Sequence, residues 1–269
     1  MYDEFEKYAL YWVPKRDDAL ARFGASWTGW CAEQGEPRAR DTLRSFSFDI
    51  PAITRQLRGH GLHAVFKAPF RLGQGRSRFS LEHILAQVVE NCVSFPLPRL
   101  RLAVVDGSVA LVPDQNCTAL GDLVARIGAA MAPLEVAGPT NGFAEAPAMT
   151  PAAAPRGISA CNSETVIQLP IVAARRFQMP LTDQLDAAMA FNVKEALEPV
   201  LEQILDQPRH LQDVALMGDP GEGRPLRVLQ RYELRDTPLR QASSALPCQG
   251  PHVLVSMFSG PIAKTDIAI

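Results

Sequence analysis

Apolar residues at helical spacing predict four long helices. These helices cover residues 17–30, 79–95, 118–131 and 185–205. We expect Asp17 and Ser80 to cap the first two, because a side-chain oxygen before a helix accepts its unpaired N–H groups. Pro199 lies inside the fourth pattern and predicts a kink or a restart, since an interior proline costs about 3 kcal/mol.

Short apolar runs between turn residues predict the strands. They cover residues 7–14, 61–72, 99–105, 109–112, 165–173, 175–182, 211–217 and 225–234. A strand, a helix and a hairpin follow one another twice, once from His63 and once from Gln178. The order predicts two matching lobes related by a pseudo-twofold axis, with residues 63 and 178 opposite each other. Each lobe would be an antiparallel sheet with helices packed outside, which makes the fold class α+β.

Two stretches depart from these patterns. Ala, Pro and Gly dominate residues 132–160, which predicts a flexible loop because such a sequence has little to bury. Residues 235–269 form a C-terminal tail with one apolar run that could add a strand. We therefore expect one bilobal domain over residues 1–234, interrupted by the 132–160 loop, and a tail after it.

Composition excludes several classes of protein. The net charge of -2 and the lack of a basic stripe argue against a nucleic-acid surface. No apolar run is long enough for a membrane span, and the acidic N-terminus is unlike a secretory signal. The five cysteines have neither disulfide nor zinc spacing, which is typical of a cytoplasmic protein. The sequence does not indicate an oligomeric state.

The strand that begins with Gly61-Leu62-His63 contains the main candidate for chemistry. Alternation along a strand predicts that His63, Val65 and Lys67 share one face. A histidine and a lysine on one face could hold and protonate a phosphate oxygen. The alternative is a histidine that is simply buried and hydrogen-bonded in the core.

The sequence resembles the DUF1045 family of phosphonate-metabolism proteins, within the 2H phosphoesterase superfamily. The resemblance lies in the segments YALY from Tyr8, ARFGASW from Ala21 and GLHAVFKAPFRL from Gly61, and more loosely in Phe177–Thr182. It extends over most of residues 7–234. It implies a bilobal fold with two His-x-Thr/Ser-x motifs facing one cleft, with no metal or other cofactor. One histidine would remove a proton while the other donates one.

The chain departs from that pattern at three of its four positions. His63 matches the first histidine and is the candidate acid or base, but Val65 stands in place of the first hydroxyl residue. Gln178 occupies the position of the second histidine, and Pro180 that of its hydroxyl partner. Residues that could still hold an anion are Lys67, Arg71, Arg176 and Thr182.

Three functions follow as hypotheses. The first is a 2H-phosphoesterase relative with a degraded site that binds a phosphate- or phosphonate-bearing metabolite and hydrolyses it weakly or not at all. The second is an active, metal-independent cyclic phosphodiesterase that uses His63. The third is a protein-interaction module in which the 132–160 loop and the tail matter more than the cleft. Neither nucleic acid nor membrane is expected as a partner, and the substrate's identity stays open.

Overall fold

The computed structural model describes residues 5–40, 43, 46–136 and 177–236. The chain divides into two units, residues 1–238 and 239–269, and the second lies outside the described residues. Also outside them are Arg176, the predicted strand at 165–173, Cys161, Cys248 and all but the first five residues of the predicted loop.

Helices lie between single strands and runs of two or three strands along the described chain. The helices are α1 (Ala19–Thr28), α2 (Ile50–Ile53), α3 (Arg78–Glu90), α4 (Thr118–Met131) and α5 (Ala187–Leu205). The strands are β1 (Lys7–Trp12), β2 (Trp30–Cys31), β3 (Glu36–Pro37), β4 (Ala64–Phe70), β5 (Phe95–Leu97), β6 (Leu100–Val105), β7 (Ser108–Pro113), β8 (Met179–Pro180), β9 (Arg209–Leu211), β10 (Asp213–Asp219) and β11 (Arg227–Glu233). Short 3₁₀ turns lie at Leu57–Gly59 and Ala132–Leu134. None of the helices described here is both long and apolar enough to cross a bilayer.

The largest sheet is antiparallel, with strand order β11-β10-β1-β4. Its inner strand β1 is apolar and almost wholly buried, as expected for a strand paired on both sides and covered on both faces. The pairing of β1 with β4 shifts register after the pair Tyr11–Val65. The next pair is Leu10–Lys67 rather than Leu10 with Phe66. One residue of β4, Phe66, is therefore left without an opposite partner, which is a β-bulge.

A second antiparallel sheet has the order β6-β7-β8. Asp106 and Gly107 join β6 to β7 with φ of 50° and 81°, the left-handed backbone that a tight hairpin turn requires. The repeated order of strand, helix and hairpin is present along the chain. However, each of the two strands lies in the same sheet as the hairpin of the other repeat, not as the hairpin that follows it. The strand after His63 joins the hairpin β10–β11, whereas β8 joins the hairpin β6–β7.

One apolar cluster contains residues of both larger sheets and of all five helices. A smaller cluster contains Tyr11, Ala215 and Met217 of the four-stranded sheet together with Ala32 of the β2–β3 hairpin. The antiparallel sheets and the helices confirm the predicted mixture of elements. The two-lobed arrangement stays a prediction.

Two local predictions, both of helix caps, were wrong. Asp18 rather than Asp17 caps α1, since its carboxylate accepts the Leu20 N–H at 2.8 Å. Ser77 rather than Ser80 caps α3. At Pro199 the helix does not restart, because α5 runs from Ala187 to Leu205 as one element, and the kink stays a prediction.

Candidate functional site

His63 lies one residue before β4 and is enclosed, with 2% of its surface exposed. Its ring stacks on Tyr11 with 4.2 Å between centroids. Its Nδ1 lies 2.9 Å from the carbonyl oxygen of Gly61. Because a carbonyl can only accept, Nδ1 must carry the proton, and Nε2 holds the lone pair of the neutral ring.

Burial lowers the pKa of His63 from 6.5 to about 3. The nearby His60, whose ring centroid is 5.5 Å away, lowers it further, and the hydrogen bond to Gly61 opposes the change. At neutral pH about one ring in 10⁴ would then be protonated. His63 is poorly suited to donate a proton, and a base of so low a pKa is weak.

Lys67 does not share the face of His63. The bulge at Phe66 interrupts the alternation of β4, so Val65 lies opposite Tyr11 while Lys67 lies opposite Leu10. Tyr11 belongs to the smaller apolar cluster and Leu10 to the larger one, on the other face of the sheet. The predicted face of His63, Val65 and Lys67 is therefore wrong.

The ammonium of Lys67 instead contacts groups beside the larger cluster. It lies 2.5 Å from Glu135 Oε1 and 5.9 Å from the ring centroid of Phe70. Both partners of the ion pair are largely buried, with side-chain exposures of 25% and 19%. Through this ion pair, Lys67 holds the segment that follows α4 against β4.

Arg71 is the most accessible of the predicted anion-binding residues that the structure describes. Its Nη2 lies 2.9 Å from Glu6 Oε2, and the two side chains are 58% and 44% exposed. Exposed ion pairs of this kind contribute about 0–1 kcal/mol. An anionic ligand could therefore replace Glu6 at small cost.

The second predicted motif lies along β8, which is beside β4. Phe177 packs against Phe66 with 6.1 Å between ring centroids, and Gln178 is half-buried. Thr182 is 1% exposed and its hydroxyl oxygen accepts the Val109 N–H at 2.9 Å. The threonine hydroxyl is thus used to join β8 to β7.

Sequence reasoning missed two residues around His63. Tyr11 supplies the stacking ring, and alternation along β1, which places Ala9 and Tyr11 on one face, could have found it. His60 lies within the loop before the strand, with Nδ1 3.3 Å from the Gln56 carbonyl oxygen. Burial lowers the pKa of His60 as well.

Two cavities lie away from the residues predicted from sequence. One of about 340 Å³ is lined by residues that include Phe5, Gln34 and Leu229. Another, of about 230 Å³, is lined by residues that include Trp12 and Asp213. His63 and Gln178 line neither of them. Within the part of the chain that the structure describes, no three His, Cys, Asp or Glu residues come together as a metal site.

Comparison with known proteins identifies the family. The profile described as "Protein of unknown function (DUF1045)" matches residues 65–151 and 170–227. The chain belongs to the DUF1045 family. The DUF1045 match includes Phe177–Thr182 and most of the predicted strand at 61–72, but it begins two residues after His63.

A curated relative of this DUF1045 chain is ribose 1,5-bisphosphate phosphokinase PhnN from Janthinobacterium sp. (strain Marseille). It is 32% identical over 93 residues, which is 34% of this chain and 20% of that protein. The chain thus matches about a fifth of the relative's length. A solved structure, "Crystal structure of phosphoesterase", is 12% identical, with a TM-score of 0.40 over 86% of this chain and 99% of that one.

Proposed function

We propose that this DUF1045 protein binds a phosphate-bearing small molecule and hydrolyses it weakly or not at all. The observation that carries the proposal is the enclosure of His63, which is 2% exposed and stacked on Tyr11. With its pKa lowered to about 3, the imidazole cannot supply a proton at neutral pH. Acid–base catalysis by such a group is typically worth about 10²–10⁴ in rate.

The rest of the degraded site supports the same proposal. Val65 and Pro180 offer no hydroxyl to a phosphate, and Gln178 can form hydrogen bonds but cannot take up a proton near neutral pH. Lys67 is paired with Glu135 on the far side of the bulge. What remains can bind an anion but does not form a proton relay.

A phosphorylated pentose is the ligand class that the relative suggests. The relative's name refers to ribose 1,5-bisphosphate, and the match to this chain extends over 93 residues at 32% identity. Arg71 is the described cation best placed to meet the phosphate, since its present partner Glu6 is an exposed carboxylate. A guanidinium suits phosphate because its N–H groups can donate in parallel to two oxygens.

Binding can be tested by isothermal titration calorimetry with ribose 5-phosphate. Arg71→Met should weaken binding by about tenfold, since a hydrogen bond to a charged group is worth roughly 1.5–3 kcal/mol. Arg99→Met is the matched control, because Arg99 is also exposed and pairs with a single carboxylate, Asp206. Absence of binding to the wild type would exclude the proposed ligand class, and equal weakening in both variants would exclude Arg71.

A second candidate function is a cyclic phosphodiesterase with His63 as its sole base. The contact of Nδ1 with Gly61 favours it, because it fixes the tautomer in which the Nε2 lone pair could accept a proton. A ribonucleoside 2′,3′-cyclic phosphate would be the test substrate for the wild type, His63→Gln and Gln178→His. If the wild type does not turn over the substrate and Gln178→His does, the result supports the proposal of a degraded site. Wild-type turnover that is lost in His63→Gln establishes the second candidate instead.

A further inference from the structure

The cavity of about 340 Å³ lies where the start of β11, the turn between β2 and β3 and the start of α3 meet. Its volume falls within the roughly 300–1,000 Å³ that is usual for ligand pockets. The strand β11 is at the edge of its sheet, and both of its faces contribute to the lining. Val228 packs against the smaller apolar cluster and Leu229 against the larger one. The lining includes none of the described residues considered above for phosphate.

Arg227 is positioned at the cavity by two contacts. Its guanidinium lies over the ring of Phe5, with 4.9 Å to the centroid. Its stem lies against the turn of the β2–β3 hairpin, because a Cβ built on Gly35 would be 3.9 Å from Arg227 Cβ and 4.0 Å from its Cδ. Both Phe5 and Gly35 line the cavity. The attraction between a cation and an aromatic face therefore holds one positive charge at the cavity wall.

Arg78 brings a second guanidinium to the face of the sheet on which Phe5 lies. Phe5 and Leu229 both lie over Gly218, since a Cβ built there would be 2.6 Å from Phe5 Cδ1 and 2.9 Å from Leu229 Cδ1. The buried face of α3 belongs to the same apolar cluster as Phe5, and Arg78 is the first residue of that helix. Arg78 Nε donates to Glu82 Oε1 at 2.7 Å. Because a guanidinium has five N–H donors, it can hold this carboxylate and a ligand oxygen together.

The charges that line the cavity leave one positive charge, from Arg78 and Arg227 against Glu33. Glu33 is bound by Arg231, whose Nε lies 3.1 Å from both of its carboxylate oxygens. The two partners outside the lining, Glu82 and Arg231, have opposite charges and leave this balance unchanged. A ligand with a single negative charge therefore matches the cavity. A phosphate monoester carries about −1.5 to −2 near pH 7, and its second charge would be repelled by Glu33.

We propose that this cavity binds a small monocarboxylate with an apolar body. The carboxylate accepts N–H groups of Arg227 and Arg78, because the planar fork of a guanidinium matches the two oxygens of a carboxylate. The apolar body lies against Val228 and Leu229, which are half-buried and so still have apolar surface to cover. The site is independent of the phosphate site proposed at Arg71, which does not line this cavity.

The test is binding of benzoate to the full chain, measured by ligand-observed NMR titration. Benzamide has the same shape without the charge, and acetate has the charge without the ring, so both should bind more weakly than benzoate. Arg227→Met and Arg78→Met should each weaken benzoate binding by about tenfold, because each removes donors to a charged group. Arg224→Met is the matched control, since Arg224 is an exposed arginine of the turn before β11 that donates to the Pro220 carbonyl oxygen and does not line the cavity.

Benzoate binding that weakens in Arg227→Met and Arg78→Met but not in Arg224→Met supports the proposal. Three results would overturn it: benzoate does not bind, benzamide or acetate binds as tightly as benzoate, or Arg227→Met binds benzoate as the wild type does. Arg227 is exposed, so its variant tests the site even if Arg78→Met, which also breaks the pair with Glu82, does not fold.

Two further measurements separate this site from the one proposed at Arg71. Arg71→Met should bind benzoate as the wild type does, whatever it does to the binding of ribose 5-phosphate. Inorganic phosphate at the same concentration should not displace benzoate from the wild type. Displacement by phosphate, or loss of benzoate binding in Arg71→Met, would overturn the proposal of a separate carboxylate site.

Discussion

Acid should destabilise this protein through His63. In the folded state burial holds the pKa of His63 at about 3, whereas the ordinary value of 6.5 applies once the chain unfolds. The unfolded state therefore takes up the proton first, so the stability is fully present above pH 6.5 and falls as the pH drops toward 3. Each pH unit in that window lowers the free energy of unfolding by about 1.4 kcal/mol, so the loss is roughly 2 kcal/mol at about pH 5.

Urea unfolding of the wild type and of His63→Gln, at about pH 7.5 and about pH 5, measures this loss. Glutamine does not titrate, so the variant should lose about 2 kcal/mol less than the wild type between the two conditions. The titrating carboxylates are common to both proteins and cancel in the comparison. His210→Gln, at an exposed position, serves as the control for removing a histidine.

Equal losses in the wild type and in His63→Gln would refute the reasoning. That result would mean that His63 takes up its proton in the folded state with little penalty. The ring would then be accessible to solvent, and the argument against acid catalysis would fail with it.

Two further predictions concern packing and can be checked by thermal and urea unfolding. Thr182→Val should cost about 1–3 kcal/mol, because the Val109 N–H loses its side-chain acceptor in a buried position; an unchanged midpoint would show that water replaces it. Gly24→Ala should destabilise by about 1–3 kcal/mol, since the new Cβ would collide with Leu62. Gly128→Ala, also in a helix but with open space around it, should raise the free energy of unfolding by up to about 1 kcal/mol. A Gly24→Ala variant more stable than Gly128→Ala would contradict the packing described.

Local pattern was enough to predict most of the elements. The helix expected at 118–131 is observed as Thr118–Met131, and the strands expected at 99–105 and 109–112 pair as the hairpin β6–β7. Both depend on short-range preferences: helical spacing of apolar residues, and a turn that needs positive φ. No restart occurs at Pro199 because the surrounding helix packs its buried face into the core, and this packing outweighs the local cost of the proline.

The candidate site depended on contacts that no local pattern contains. The prediction that His63 and Lys67 share a face was wrong because of the bulge at Phe66. This bulge exists only through the pairing of β4 with β1. The enclosure of His63 depends on Tyr11, more than fifty positions earlier in the chain. The sequence alone shows a glutamine, Gln178, where the resemblance predicts a second histidine, whereas the burial of His63 required the fold.

The exchange of hairpins between the two sheets has a consequence for how the chain folds. A protein cut between residues 136 and 177 would give one piece with β1 and β4 but without β10 and β11, and another with β8 but without β7. Neither piece could complete either of the two larger sheets, yet together they contain every described strand. Such pieces should reassemble only with each other, and the intact chain should fold slowly, since its larger sheets pair strands that are far apart in the sequence.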